Sequence, residues 1–158
     1  MRTARVIIAS TRAAAGIYED RTGPIITAWL GARGFAAGDP VVVADGDDVE
    51  TALRQALTDQ VALIITSGGT GISPTDRTAD ITAAVVDYQI PGLADAIRRS
   101  GLPAVPTSVL SRGVCGVSGS TLIVNLPGSS GGVKDGLGVL GDVLEHALDQ
   151  LAGGDHGR

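Results

Sequence analysis

Two glycine-rich segments and two aspartates are the residues of this sequence best suited to chemistry. The first segment, residues 67–71 with the sequence SGGTG, follows the unbroken apolar run 61–65, and Asp76 follows shortly after it. Glycines let a backbone approach a ligand closely, and exposed backbone N–H groups ahead of a helix suit a phosphate. An aspartate in such a loop suits a metal ion bound to that phosphate. The segment therefore suits a phosphorylated ligand, but it matches neither common nucleotide-binding fingerprint, and the four residues GGTG alone favour an ordinary tight turn between strand and helix.

The second glycine-rich segment repeats this arrangement later in the chain. Residues 127–132, with the sequence PGSSGG, follow the mostly apolar segment 121–126 and precede a helical pattern. Two further apolar runs also end in polar residues, Ser10 and Thr11 after the first and Asp45 after the second. In an open α/β sheet, ligands bind beyond the carboxyl ends of the strands. We therefore expect these polar residues and both glycine-rich segments to meet at one edge.

Two phosphate-binding loops beside two carboxylates fit one kind of reaction, a metal-assisted transfer between phosphates. In this interpretation Asp45 and Asp76 hold Mg²⁺, which neutralises charge on the attacked phosphoryl group. The alternative for each aspartate is a structural one, a turn or a helix cap. A side chain added at Gly69 is expected to obstruct the ligand more than it destabilises the fold.

The elements that must position these residues alternate between strands and helices. Apolar runs predict strands at 4–9, 41–44, 61–65 and 121–126, with helical patterns after them. Asp47 and Glu50 form a predicted capping box for the second long helix, and Ser118-Gly119 predicts a hairpin turn. This alternation predicts an α/β fold with a mostly parallel sheet, helices on both faces and one antiparallel edge hairpin. We expect one domain over residues 1–151 and a flexible tail at 152–158.

Composition restricts the function further. The chain has 158 residues, 44% of them hydrophobic, and a net charge of -5, which argues against general nucleic-acid binding. Eleven of its twelve basic residues are arginines, whose planar guanidinium matches the geometry of phosphate better than the ammonium of lysine does. The lone cysteine, Cys115, is expected to be a packing residue. The absence of a long apolar stretch predicts a cytoplasmic protein that does not cross a membrane.

The longer motifs resemble those of the MoaB/Mog family of molybdenum cofactor biosynthesis. Gly68 to Gly71 with Asp76 and Thr78 is similar to the family's GGTG…D.T signature, and residues 125–129, NLPGS, match its second loop. Further similar segments are 16–20 (GIYED), 90–93 (IPGL) and 110–112 (LSR). The chain departs from many relatives in lacking a lysine soon after Ser129 and in carrying Asp95 where a glutamate is common.

The resemblance implies a three-layer molybdopterin-binding fold, a homotrimer, and the transfer of AMP from Mg·ATP to molybdopterin with release of pyrophosphate. It assigns Asp45 and Asp76 as the catalytic and metal-binding pair, and it implies a molybdenum-insertion protein as a partner. The expected ligand-binding residues lie at the strand ends and in the LSR element: Ser10, Thr11, Ser67, Gly68, Gly69, Thr70, Gly71, Ser111, Asn125, Pro127, Gly128 and Ser129.

Two other functions fit the same residues. The first is a pterin-binding carrier or scaffold that does not transfer AMP, which would have less need of a second carboxylate. The other is an unrelated nucleotide-binding α/β domain, which leaves the second loop and the LSR element unexplained.

Overall fold

Strands and helices alternate along residues 1–154, the part of the chain that this computed structural model describes. The strands are β1 (Ala4–Ala9), β2 (Val41–Val43), β3 (Leu63–Ser67), β4 (Tyr88–Gln89), β5 (Cys115–Ser118) and β6 (Thr121–Leu126). The helices are α1 (Thr11–Ala14), α2 (Thr22–Ala32), α3 (Asp47–Thr58), α4 (Thr78–Val85), α5 (Pro91–Arg99) and α6 (Ser130–Leu151), with a 3₁₀ helix at Pro106–Leu110. None of the helices in this range is both long and apolar enough to cross a membrane. Of the expected tail, residues 155–158 lie outside the described residues.

The strands form one sheet in the order β2-β1-β3-β6-β5-β4. β1, β2, β3 and β6 are mutually parallel, whereas β5 pairs antiparallel with both β6 and β4. The predicted hairpin between β5 and β6 is confirmed. β4 is absent from the predicted strands, because a strand of two residues carries no periodic pattern. α1 is likewise absent from the predicted elements, because it is a single helical turn of four residues.

Alternate side chains of the strands enter two separate cores, which is what a sheet covered on both faces requires. On one face Val6 and Ile8 pack with residues of α2, α5 and α6. On the other face Ile7 packs with residues of α3 and α4. The same division holds in β6, where Leu122 and Val124 belong to the first core and Ile123 to the second. The predicted three-layer α/β architecture is confirmed.

The start of α3 differs from the predicted capping box. Gly46 is the N-cap residue, with φ +115, and its carbonyl accepts the N–H groups of Val49 and Glu50. Asp47 is the first residue of the helix, and its Oδ1 accepts a hydrogen bond from Arg77 Nη2 at 3.2 Å. Only a glycine enters this backbone conformation without strain. The cap therefore moves one residue upstream of the position that the Asp47 and Glu50 spacing predicts.

Two glycines of α6 differ in how closely they approach neighbouring side chains. A Cβ at Gly136 would lie 2.6 Å from Leu126 Cδ2 and 3.3 Å from Ile97 Cγ2, two buried side chains, whereas a Cβ at Gly138 would meet no atom within 4 Å. We expect Gly136→Ala to lower the free energy of unfolding by about 1 kcal/mol, because overpacking outweighs the helix-propensity gain. Gly138→Ala should raise it by about 0.5–1 kcal/mol. Urea denaturation measures both, and equal stabilisation by the two substitutions would contradict the close packing.

Candidate active site

The carboxyl ends of β1, β3 and β6 meet at one edge of the sheet, as the sequence analysis expects. Ser67 pairs in register with Ile8 of β1 and with Leu126 of β6. The next residue, Gly68, has φ +95 and donates its N–H to the carbonyl of Leu126 at 3.1 Å. A Cβ at Gly68 would collide with the carbonyl oxygen of Ala9. A glycine is therefore required for the first loop to leave the sheet between its two neighbouring strands.

A cavity of about 280 Å³ opens beside this crossing. Ser67 forms part of its wall and donates its hydroxyl hydrogen bond to the carbonyl of Pro127 at 2.7 Å, which ties the two glycine-rich loops together. Tyr18 lies at the rim with its hydroxyl 3.5 Å from Ser10 Oγ. The residues expected from sequence that line this cavity are Ser10, Ser67, Gly68, Gly128 and Ser129.

A second cavity of about 450 Å³ lies across the second glycine-rich loop from the first. Its far wall comes from the end of α5 and the connection after it. Within residues 1–154, Ser108 Oγ is a buried hydroxyl without a hydrogen-bond partner, and Ser108 belongs to this wall. A buried polar atom of this kind is a natural partner for a ligand group. The residues expected from sequence that line the cavity are Thr70, Gly71, Ser111, Pro127 and Ser129.

Asp45 lies at the end of β2 and is partly buried. Its Oδ1 accepts the hydroxyl hydrogen bond of Thr78 at 2.8 Å, and its Oδ2 accepts the N–H of Arg77 at 3.0 Å. Both donors stand at the start of α4, where the helix dipole also favours a negative charge. Asp45 is therefore a cap, but for α4 and not for the adjacent α3. Since a carboxylate offers about four acceptor positions, its two oxygens retain capacity for a metal ion.

Asp76 closes a turn in the loop that begins with the first glycine-rich segment. Its N–H donates to the carbonyl of Ser73 at 2.9 Å, and its Oδ2 accepts the N–H of Ser73 at 3.1 Å. A Cβ at Gly71 would lie 2.7 Å from Oδ2. Oδ1 of Asp76 accepts no hydrogen bond from the described residues. Because Asp45 binds Arg77, the residue next to Asp76, the structure brings both carboxylates to the same loop.

Three expected ligand-binding residues lie outside the two cavities. Thr11 is exposed in α1, whose N-cap is Ser10. Gly69 faces the Asp45 carboxylate and the Thr78 hydroxyl. Asn125 is buried within β6, where its amide nitrogen donates to the hydroxyls of Thr66 and Thr82 and its Oδ1 accepts the N–H of Val114. All of these partners are internal, so in this structure Asn125 supports the loop from beneath.

Arg112 contacts the first loop in a way that the sequence analysis did not anticipate. Its guanidinium donates to the carbonyls of Gly71 and Asp76 and pairs with the carboxylate of Asp80 in α4. The hydrogen bond to Asp80 raises the pKa of Arg112, although burial acts in the opposite direction. Cys115, in contrast, is buried away from these loops in the sheet, and burial raises the pKa of its thiol to about 12. This is consistent with the predicted packing role.

The carboxylates fit a magnesium ion that is completed by substrate. Among residues 1–154, no group of three or more His, Cys, Asp and Glu side chains could hold a metal ion by itself. Mg²⁺ usually keeps several waters and binds through one or two carboxylates together with substrate phosphates. Asp45 with spare acceptor capacity and Asp76 with Oδ1 available satisfy this requirement.

The fold defines a class, an α/β domain with two glycine-rich loops at the carboxyl edge of a mostly parallel sheet. Residues 5–146 match the family model described as a probable molybdopterin binding domain. The chain belongs to the MoaB/Mog family of molybdenum cofactor biosynthesis proteins.

Individual relatives agree with this assignment. A molybdenum cofactor biosynthesis bifunctional protein of Synechococcus elongatus is 37% identical over 155 residues, which are 98% of this chain and 49% of that protein. The molybdopterin adenylyltransferase of Haemophilus influenzae is 35% identical over 139 residues, which are 84% of this chain and 69% of that protein. The solved structure of the molybdopterin biosynthesis Mog protein from Mycobacterium ulcerans is 68% identical with a TM-score of 0.93, covering 96% of this chain and 99% of that one. The chain spans about half the length of the bifunctional relatives it matches.

The position of Gly69 revises the expectation that a side chain there affects mainly the ligand. Gly69 has φ +68 and no room for a Cβ beside Asp45 and Thr78, whereas Gly119 has φ +59 and open space. We expect Gly119→Ala to lower the free energy of unfolding by about 1–2 kcal/mol, the penalty of a left-handed backbone alone. Gly69→Ala should lower the free energy of unfolding by about 1–3 kcal/mol more than Gly119→Ala does, because the Asp45 carboxylate must move.

Urea denaturation of the two variants measures the difference. Equal costs would show that Gly69 does not pack against Asp45.

Proposed function

We propose that this chain binds molybdopterin and Mg·ATP and transfers AMP to the phosphate of molybdopterin, releasing pyrophosphate. The observation that carries the proposal is the attachment of Asp45 to the loop of Asp76 through the Arg77 N–H and the Thr78 hydroxyl. It brings two carboxylates from distant parts of the chain to one glycine-rich loop. The molybdopterin adenylyltransferases among the relatives support the same reaction.

In the proposed arrangement the two substrates occupy separate cavities on either side of the second loop. Ser129 lines both cavities and is the N-cap of α6, so the positive end of that helix points to the boundary between them. A phosphate bound there would be within reach of ligands in either cavity. The larger cavity, with the unpaired Ser108 hydroxyl on its wall, suits a flat ring with polar edges such as the pterin.

In the proposed reaction an oxygen of the molybdopterin phosphate attacks the α-phosphorus of ATP, and the bond to the pyrophosphate oxygen breaks. Backbone N–H groups of the two loops hold the phosphates, and the loop glycines keep side chains out of the reaction path. Asp45 and Asp76 would hold the metal ion. When bound, Mg²⁺ supplies positive charge against the charge that develops on the leaving pyrophosphate.

The alternative, a carrier or scaffold that binds molybdopterin without transferring AMP, also has an observation in its favour. Both oxygens of Asp45 already make structural hydrogen bonds at α4, so a structural role accounts for this residue without chemistry. Incubation of the protein with molybdopterin, ATP and Mg²⁺ distinguishes the two functions. Adenylated molybdopterin and pyrophosphate should accumulate, whereas binding without product would favour the carrier.

The carboxylate pair is tested by Asp45→Asn, Asp76→Asn and the double variant. Loss of one well-placed electrostatic contact typically lowers turnover by about 10²–10³-fold, and we expect this for each single variant. The two effects should be non-additive, because both residues serve one metal site. Molybdopterin affinity should survive in all three variants. Near-normal transfer in Asp45→Asn would exclude the paired mechanism.

Asp47→Asn is the control matched for charge. Asp47 lies at the same edge, is 90% exposed and pairs with Arg77 at 3.2 Å. Its substitution removes one negative charge nearby without touching the proposed metal ligands. We expect near-wild-type transfer, and a loss as large as that of Asp45→Asn would point to the general electrostatic field instead of ligation.

On the basis of the family resemblance, we also propose that the chain assembles as a homotrimer and binds a molybdenum-insertion protein. A cytoplasmic location stays a prediction. Light scattering at micromolar concentration should give three times the chain mass of 15.9 kDa. A monomer under these conditions would contradict the assembly.

A further inference from the structure

Arg112 joins the two ends of the exposed part of the first loop. Its Nε–H donates to the carbonyl of Gly71 and one Nη2–H to the carbonyl of Asp76, both at 2.9 Å. Its backbone N–H donates to the carbonyl of Thr70 at 2.7 Å. Arg112 therefore contacts the loop on both sides of its solvent-exposed turn.

Few other contacts fix this turn. Residues 72–75 are exposed, and the turn itself is closed by the hydrogen bonds between Ser73 and Asp76. Among residues 1–154, the hydrogen bonds that reach residues 71–76 from outside the segment come from Arg112. Asp45 holds the next residue along the chain through the Arg77 N–H, and Arg112 is the side chain that holds the backbone of residues 71–76 itself.

Asp80 orients the guanidinium. Its Oδ1 accepts from Nη1 at 2.9 Å and its Oδ2 from Nη2 at 3.3 Å, a bidentate pair. An ion pair at this exposure contributes little stability alone. Together with the two carbonyls, however, it fixes the plane of the guanidinium in a single orientation.

The hydrogen bonds of Arg112 also argue against direct phosphate binding. A guanidinium has five N–H donors. Nε–H, one Nη1–H and both Nη2–H groups are already engaged by Gly71, Asp76 and Asp80. The remaining donor cannot form the bidentate contact that arginine makes with phosphate.

We propose that Arg112 is a positioning residue for adenylyl transfer, which holds the Asp76 backbone so that the carboxylate meets the metal-bound triphosphate. This inference rests on the proposed function. A planar fork is needed to span two carbonyls and a carboxylate, and a lysine ammonium cannot replace it. The contribution of Arg112 should therefore appear in the rate of the chemical step and not in substrate affinity.

The experiment compares Arg112→Gln and Arg112→Lys with wild type in three measurements: steady-state kinetics, urea denaturation, and hydrogen exchange of the segment 71–77. Small displacements of a catalytic group cost large factors in rate, so we expect kcat to fall about 10–100-fold. The KM for molybdopterin should stay within about twofold, because uniform binding is unaffected. The segment 71–77 should exchange about tenfold faster, while α6 keeps its protection.

Two further variants sharpen the test. Asp80→Asn removes the group that orients Arg112 and should lower kcat in the same direction by a smaller factor, without adding to Arg112→Gln. Arg5→Gln is the matched control, because Arg5 pairs with Asp59 at 2.8 Å at the opposite end of the sheet. It should leave kcat and the exchange of residues 71–77 unchanged.

The outcomes separate this inference from the proposed function. A wild-type chain that makes no adenylated molybdopterin overturns the proposed function before any variant is measured. An active wild type with unchanged kcat or unchanged loop exchange in Arg112→Gln overturns the positioning role. A raised KM for ATP with unchanged kcat overturns it as well, since Arg112 would then be a substrate ligand.

Discussion

The close approach of three strand ends is the constraint on which the site depends. Gly68 leaves β3 between Ala9 and Leu126, and a side chain at this position has no space. Because the crossing is tight, the first loop starts beside the second loop, and Ser67 joins them by its hydrogen bond to Pro127. The cavities on either side of the second loop follow from this arrangement. Their position is therefore a property of the backbone of the sheet more than of any side chain that lines them.

In the proposed mechanism Asp45 has a structural role and a chemical role at once. Its hydrogen bonds with Arg77 and Thr78 fix the orientation of the carboxylate at the positive end of α4. A metal ligand held in this way is organised before the substrate arrives, so little reorganisation accompanies binding. The two interpretations that the sequence leaves open, a helix cap and a metal ligand, are thus compatible in one residue. Stability and turnover must be measured together to separate them.

The sequence predicts what depends on local periodicity. The four parallel strands, the hairpin turn and the presence of helices on both faces follow from apolar patterns and strand–helix alternation, and the glycine-rich loops follow from composition. It does not predict contacts between distant segments. Arg112 reaches Gly71 and Asp80 across 41 and 32 residues of chain, and no local signal encodes this. The predicted capping box at Asp47 is wrong because Gly46 adopts a backbone conformation that only glycine tolerates. The NLPGS motif places Asn125 among the expected ligand-binding residues, but its side chain is buried inside the fold.

The strand order also has a consequence for how the chain folds. β3 and β6 are neighbours in the centre of the sheet, yet the contact between Asn125 and Thr66 closes 59 residues of chain. Closing such a loop costs entropy before any contact is formed, which makes parallel pairing intrinsically slow. During synthesis β3 emerges long before β6, so the edge of β3 that pairs with β6 stays unpaired until β6 has been made. We expect the glycine-rich loops to acquire their final shape only in the last cooperative step of folding.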